Sequence, residues 1–250
     1  VVGLLIIARL GSTRLERKHL IEVNGKTFVE WLVERYRKEF SKEILQNQVK
    51  IFIATSVKIE NRQFGLLFKD KIVSIFYGND ENIPLRQLEC ALANDLESII
   101  SIDGDDILCS TKGARTVFDN LNNGYRMVQT QGLPLGMNVS GYKTAFLQEA
   151  LSLNNSLKLE TGWGRIFDKD AIETIKINGF ENSENLRMTL DYQEDALFFH
   201  TVISEIGDEI VSIDDKKLVT TILENGWNKL NDNLNEEYWN NFNKSKQSES

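Results

Sequence analysis

The chain opens with an uncharged run, Val1 to Ala8, rich in Val, Leu and Ile, that leads straight into a turn carrying a glycine, hydroxyls and several cations. A run of that length suits a buried strand and is far too short to cross a bilayer. It also lacks the basic flank of a signal peptide. The turn, Arg9-Leu10-Gly11-Ser12-Thr13-Arg14-Leu15-Glu16-Arg17-Lys18, can point successive backbone N–H groups at one spot, where Arg and Lys can hold phosphate oxygens. Spacing alone is equally compatible with a solvated basic turn.

The same strand-then-helix order recurs downstream. Thr27 and Glu30 have the spacing of a capping box, and Phe28, Trp31, Leu32, Tyr36 and Phe40 mark the buried face of the helix that follows. Val49 to Ala54 and Val73 to Tyr77 read as strands, Leu85, Leu88, Leu92 and Leu96 as a helical stripe, and Ser98 to Ile102 as a further strand. Such alternation predicts a mostly parallel sheet covered on both faces, an α/β, Rossmann-like single domain. Its 250 residues suffice for one such domain with a small appendage. Asn138 to Tyr142 then reads as a strand, Lys143 to Ser152 as a helix, and Thr161-Gly162-Trp163-Gly164 as a loop whose tryptophan either packs or stacks on a ligand ring. Ala196, Phe199, Val202, Ile203 and Ile206 mark a long amphipathic helix, and Ser212 caps another that ends at Asn225-Gly226. From about Asn231 the composition turns to Asn, Glu, Lys and Ser. The domain is therefore expected over 1–232, with a frayed polar tail over 233–250 in which Tyr238 and Trp239 could dock.

A net charge of −8 argues against a general nucleic-acid coat, yet leaves room for a polyanionic small substrate where Arg9 to Lys18 converge. Cys90 and Cys109 form neither a metal pattern nor a disulfide framework; they read as small buried residues of a cytoplasmic protein with no membrane partner. The first turn lacks G-x-G-x-x-G and is too basic for a dinucleotide-binding oxidoreductase. His19 reads as a loop residue completing a hydrogen bond, and His200 as part of a helix face.

Two acidic segments complete the chemistry. Asp103-Gly104-Asp105-Asp106 follows the strand that ends at Ile102, and the carboxyl ends of strands are where open α/β sheets place their ligands. The glycine lets the backbone turn sharply and project Asp105 into the crevice. Carboxylates this crowded repel one another unless screened, which suits either a hard cation such as Mg²⁺ or an exposed acidic turn. In Met188-Thr189-Leu190-Asp191-Tyr192-Gln193-Glu194-Asp195 an apolar run again ends in an aspartate that opens a helix, and Asp191 taken alone is most simply its N-cap.

Together these segments resemble one family in the right order. Ala8 to Lys18 resembles A-R-x-G-S-T-R-L-P-x-K, the signature of cytidylyltransferases that activate acidic sugars: the CMP-Kdo synthetases and, more closely, the spore-coat polysaccharide (SpsF-like) branch. Ile102 to Leu108 is similar to I-T-G-D-C-P-L, Leu186 to Asp195 to L-R-L-T-V-D-T-P-E-D, Ile53 to Ser56 to the V-A-T-S strand end, and Gly78 to Arg86 to G-S-E-D-D-V-L-D-R. Leu133 to Tyr142 resembles the segment that precedes the dimerisation and acceptor region. The departures are Glu16 and Ile107 in place of prolines, Leu85 in place of an aspartate, and an added Pro84.

The resemblance implies a nucleotidyltransferase fold and an in-line transfer of CMP from CTP to an acceptor oxygen, with pyrophosphate leaving, for surface polysaccharide or glycoconjugate synthesis. It implies that Arg14 and Lys18 hold the triphosphate, assisted by Ser12 and the backbone amides of Leu10 to Ser12. Ala8, Arg9 and Arg86 would form the cytosine and ribose pocket, and Asp105 and Asp191 would hold Mg²⁺. Lys18, Arg14 and Asp105 are then the catalytic set. The implied acceptor is an acidic sugar, its carboxylate met by Lys158, Arg165 or Arg187 and its hydroxyls or amine by Glu160 or Asn138. A sugar phosphate, a phosphonate, or a catalytically silent sugar-nucleotide-binding role are the alternatives. The apolar side chains of the 136–167 excursion, Met137, Val139, Tyr142, Phe146, Leu147 and Trp163, predict a homodimer that closes the acceptor pocket.

Overall fold

In a computed structural model, which describes residues 1–69, 72–154, 156–183 and 185–249, the opening run forms β1 (Val2–Ile7) inside a seven-stranded sheet. Asn155 of the excursion and Ser250 of the tail lie outside the described residues. Alternation along β1 sends Leu4 and Ile6 into one apolar cluster and Leu5 into another, as a strand covered on both faces requires. A short hairpin, β2 (Glu22–Val23) and β3 (Lys26–Thr27), stands apart from that sheet. The other strands are β4 (Val49–Ser56), β5 (Val73–Gly78), β6 (Ser98–Asp103), β7 (Met127–Gln131), β8 (Ser140–Lys143) and β9 (Ile172–Lys176), in the spatial order β5-β4-β1-β6-β8-β7-β9. Among the described residues of this sheet, β8 alone runs antiparallel, to its neighbours β6 and β7.

Register decides where a ligand can sit. Ile7 pairs with Ala54 on one side and Asp103 on the other, so the carboxyl ends of β1, β4 and β6 lie level. From β1 the chain builds β4 and β5 outward, then crosses back to lay β6 against the other edge of β1. The cleft above β1 and β6 is therefore a topological switch point.

The helices are α1 (Phe28–Glu39), α2 (Ser41–Leu45), α3 (Phe64–Leu67), α4 (Ile83–Ala93), α5 (Thr111–Asn122), α6 (Thr144–Ser152), α7 (Gln193–Ile206), α8 (Asp215–Glu224) and α9 (Asn235–Ser248). The capping box of α1 is formed: Glu30 N donates to Thr27 Oγ1 at 3.4 Å and Thr27 N to Glu30 Oε2 at 2.7 Å. Phe28 and Trp31 leave the sheet-facing cluster and join Met188, Leu190, Phe198 and Phe199 in a third cluster, which anchors the 186–190 segment below the cleft. Among the described residues no helix is long and apolar enough to cross a membrane.

Several local expectations differ. On α4 the buried positions are Pro84, Arg86, Gln87, Leu88, Cys90 and Ala91, while Leu92 is exposed. The reason is polar: Arg86 donates to strand-end carbonyls and Gln87 accepts from the buried Tyr142 hydroxyl, which turns the leucine stripe aside. The cap of α8 is Asp214, which accepts from Lys216 N at 2.9 Å, and not Ser212. Asp191 is not the cap of α7 either. Asp195 reaches back to accept from the backbone of Asp191 (2.9 Å) and Tyr192 (3.0 Å), leaving the Asp191 carboxylate for other partners. The apolar side chains of the excursion are not presented outward: Met137, Val139, Tyr142, Phe146 and Leu147 are buried within their own chain. Trp163 packs edge-on against Tyr142 and Phe167. The five buried side chains therefore expose none of the apolar surface from which a homodimer is expected. The polar tail is a helix, α9, and its position bears directly on the site.

Candidate active site

Two adjoining cavities occupy the switch-point cleft. One, of about 270 Å³, is walled by Ala8, Arg9, Gly11, Ser12, Thr13, Arg14, Lys18 and Arg86. The other, of about 350 Å³, runs from the carboxyl end of β6 past Asp106, Asn138 and Asp191 to Trp163 and the inner face of α9. They share Ile7, Arg14, Ile83, Asp103, Asp105, Glu160 and Thr161 as common wall.

Cations gather in the first cavity because the turn after β1 folds back over the strand ends. Leu10 N donates to Asn61 Oδ1 at 2.8 Å, and Asn61 is itself tied to Ser56 at the end of β4. This clamp was not visible in the sequence, and it occupies the Leu10 amide, one of those expected to meet phosphate. Gly11 and Ser12 do line the cavity. Arg17 adopts a left-handed backbone (φ 52°) and sends its guanidinium outward to Gln63, away from the cleft. Lys18 points inward and is buried. Arg86 donates to the carbonyls of Asn79 (2.7 Å) and Asp80 (3.0 Å), so it contributes shape and charge from the wall, and burial followed by the nearby Arg9 lowers its pKa to about 10. Arg9 is ion-paired with Glu160, which forms part of the boundary between the two cavities.

At the junction a single ammonium links both aspartates. Lys18 Nζ lies 2.7 Å from Asp105 Oδ2 and 3.4 Å from Asp191 Oδ1, and it donates to the Leu190 carbonyl at 2.7 Å. Burial opposes this ammonium, but Asp105 and then Asp191 outweigh burial and hold its pKa above the ordinary lysine value. Arg14 approaches Asp191 Oδ1 at 2.7 Å, and His19 Nε2 lies 3.0 Å from Asp105 Oδ1. Desolvation would raise Asp105, yet Lys18 and His19 more than offset it and hold this carboxyl well below the usual range. For its neighbours the compensation is too weak: Lys18 acts on Asp103 and Thr189 on Asp106, and neither outweighs burial. Crowding at the cleft floor, then the charge of Asp105, pushes Asp103 upward although its side chain opens to the cavity; desolvation followed by Asp103 does the same to Asp106.

Gly104 makes this arrangement possible. Its N–H donates to Ile7 O at 2.8 Å, and a Cβ there would stand 2.6 Å from that oxygen and 2.9 Å from Ala8 Cβ. Gly104→Ala is expected to lower stability by roughly 1–3 kcal/mol, the range for forcing an atom into a packed site. Thermal denaturation checks this, and a variant that melts with the parent would refute the tight fit.

Asp191 is held from behind by Arg187, whose Nη2 lies 3.3 Å from Asp191 Oδ2 while its Nε and Nη2 donate to Asp195 at 2.8 and 3.0 Å. Arg187 is thus a support for the aspartate and does not line the second cavity. Arg165 donates to the Thr161 and Gly162 carbonyls and pairs with Glu249, and Lys158 is turned toward Glu160 from outside. None of the three cations expected to meet an acceptor carboxylate faces that cavity; Asn138 and Glu160 do.

A parallel sheet with its ligand cleft at this switch point, and with cations beside strand-end aspartates, defines a nucleotidyltransferase type of α/β fold. That fold is shared with a cytidylyltransferase from Leptospira borgpetersenii serovar Hardjo-bovis (TM-score 0.74, 22% identity, 91% of this chain and 95% of that one). It is also shared with a CMP:2-keto-3-deoxy-manno-octonic acid synthetase complexed with CTP (0.58, 14%, 82% and 98%). A third example is the 4-diphosphocytidyl-2C-methyl-D-erythritol synthase from Anaerococcus prevotii (0.53, 16%, 81% and 95%). The sequence model of the cytidylyltransferase family matches residues 4–218, and the chain belongs to that family. The uncharacterized protein MJ1063 of Methanocaldococcus jannaschii is 28% identical over 151 residues, which span 60% of this chain and 59% of that relative.

Proposed function

We propose that this protein transfers the CMP moiety of CTP to an oxygen nucleophile of a small acceptor and releases pyrophosphate. The observation that carries this reading is the junction of the cavities: a cation-walled pocket meets a carboxylate-walled pocket at Lys18, Asp105 and Asp191. CTP would lie in the first pocket with its triphosphate against Arg14, Lys18, Gly11 and Ser12, and with base and ribose toward Ala8, Arg9 and Arg86. The acceptor would enter through the second. Its hydroxyl gives up a proton to solvent as the oxygen attacks the α-phosphorus in line, the bond from that phosphorus to the bridging oxygen breaks, and pyrophosphate leaves along the Arg14 and Lys18 side. Catalysis of this kind rests on alignment and on neutralising charge.

The residues fit a hard divalent cation. A buried carboxylate (Asp191) and a part-buried one (Asp105) flank one ammonium, and Mg²⁺ characteristically takes one or two protein carboxylates and completes its shell with water and substrate phosphates. Mg²⁺ held by Asp105 and Asp191 would supply positive charge at the α-phosphate and acidify the attacking hydroxyl. Lys18 marks the place where that positive charge is needed and can turn toward the triphosphate when nucleotide binds.

Titration calorimetry tests the nucleotide half directly. CTP should bind in preference to ATP, GTP and UTP. Lys18→Met should raise the CTP Kd about tenfold, the scale of one charge-assisted contact, whereas Arg17→Ala should stay within about twofold. Equal losses from both variants would mean that the turn acts only as a diffuse field, and absence of CTP binding would overturn the reading.

A further inference from the structure

The turn after β1 is braced from one side by the stretch that follows β4. There Ile59–Gln63 forms a 3₁₀ turn and Phe64 opens α3. Asn61 is buried; its Oδ1 accepts from Leu10 N at 2.8 Å, and its Nδ2 donates to the Ser56 carbonyl (3.1 Å) and hydroxyl (2.8 Å). Gln63 accepts from Arg17, and the Phe64 ring meets His19 edge-on at 6.2 Å. The turn is thus held at its two ends, and its middle is left open to the cavity. Among the described residues the backbone amides of Gly11, Ser12 and Thr13 have no hydrogen-bond partner, and all three residues line the smaller cavity.

We propose that Asn61 is a positioning residue for the polyphosphate of the nucleotide, a role that rests on the cytidylyltransfer reading above. Both polar atoms of its side chain leave its own 3₁₀ turn, one for the chain after β1 and one for the end of β4. Register sets those two strands level, so the side chain pins the turn directly to the sheet. A buried amide is required there, because an apolar side chain would leave the Leu10 N–H without a partner. With Leu10 fixed, the next three amides stay at the cavity wall, where phosphate oxygens can accept from successive N–H groups. Without the clamp, binding has to order the turn as well, and that cost lowers affinity. Asn61 lines neither cavity, so it acts only through Leu10. A nucleoside monophosphate, which lacks the pyrophosphate part, depends least on this bracing.

Titration calorimetry on the full chain compares CTP, inorganic pyrophosphate and CMP. Asn61→Ala should raise the Kd of CTP and of pyrophosphate about tenfold, the scale of one hydrogen bond, and leave that of CMP within about twofold. A general loosening of the domain would weaken all three ligands alike. Ser56→Ala removes one anchor of Asn61 and keeps the Leu10 bond, so the same pattern should appear at about threefold. This milder variant decides the matter if Asn61→Ala does not fold. Gln63→Ala, in the same 3₁₀ turn but directed to Arg17 outside the cleft, should bind all three ligands as the parent does. Parental affinity for pyrophosphate in the folded variants, or an equal loss for CMP, overturns the assignment. Absence of CTP binding in the parent protein would instead count against the cytidylyltransfer reading.

Discussion

Asp105→Asn should fold and melt like the parent, keep its CTP affinity within a few-fold, and release pyrophosphate at least about a hundredfold more slowly, the scale for losing charge stabilisation at a reacting centre. The two side chains have the same shape, so the packing around Gly104 is undisturbed. What changes is the charge that Lys18 meets at 2.7 Å and His19 at 3.0 Å. An amide carries no formal charge and presents an N–H₂ at one of those two contacts. Lys18 then faces a neutral group where it met a charge, and a divalent cation loses one of two anionic ligands. Steady-state release assays over a Mg²⁺ titration, with calorimetry for CTP, separate the two halves of the claim. Near-parental turnover at saturating Mg²⁺ would remove Asp105 from the reacting centre. A parallel collapse of CTP binding would mean instead that the carboxylate organises the nucleotide pocket.

Much of this centre could be read from the chain because its parts are local. The turn after β1, the Thr27–Glu30 box and the Asp-Gly-Asp turn are each set by neighbours within a few residues, and parallel pairing of β1 with β6 puts the two turns at one end of the sheet. What escaped the sequence depends on partners far along the chain. Arg9 pairs with Glu160, and Asn61 clamps Leu10, through contacts that no periodicity announces. On α4 the buried face also carries Arg86 and Gln87, which meet the Asn79 and Asp80 carbonyls and a buried tyrosine hydroxyl, so a leucine stripe locates Leu88 but misplaces Leu92. Helix α9 was unreadable for a related reason. Its inner face is turned to a polar cavity and not to a core, so Tyr238, Asn241, Phe242 and Ser245 show no apolar stripe, and the segment resembles a frayed tail. The excursion over 136–167 shows the reverse error. Its apolar side chains are real, but they are buried within one chain, and composition alone does not tell that from burial by a partner subunit.

The largest loss of stability should come from Arg187→Met. Arg187 has no exposed surface, and its guanidinium meets Asp195 through two hydrogen bonds, meets Asp191, and lies between the Tyr192 and Tyr238 rings at 5.6 and 4.4 Å. Burial opposes its charge, yet the hydrogen bonds and charge of Asp195, followed by Asp191, raise its pKa, so the network is built around the cation. Removing one partner of such a buried pair leaves carboxylates uncompensated and costs about 3–5 kcal/mol, or roughly 10 °C in melting temperature for a chain of this size. Asn231, which donates to Asp195 at 2.8 Å and to the Arg187 carbonyl at 3.2 Å, cannot replace the missing charge. Joint replacement of Arg187 by Met and Asp195 by Leu should recover part of the loss, because it removes the stranded carboxylate along with its partner. Activity should not return with stability. In the double variant Asp191 still lacks its support from behind, the backbone N–H groups of Asp191 and Tyr192 have lost the carboxylate that capped α7, and Tyr238 has lost the cation beneath its ring. Differential scanning calorimetry and release assays on both variants therefore give opposite patterns, with partial thermal rescue and no catalytic rescue. A double variant that recovered turnover along with melting temperature would show that Arg187 serves the fold alone and that Asp191 is positioned without it.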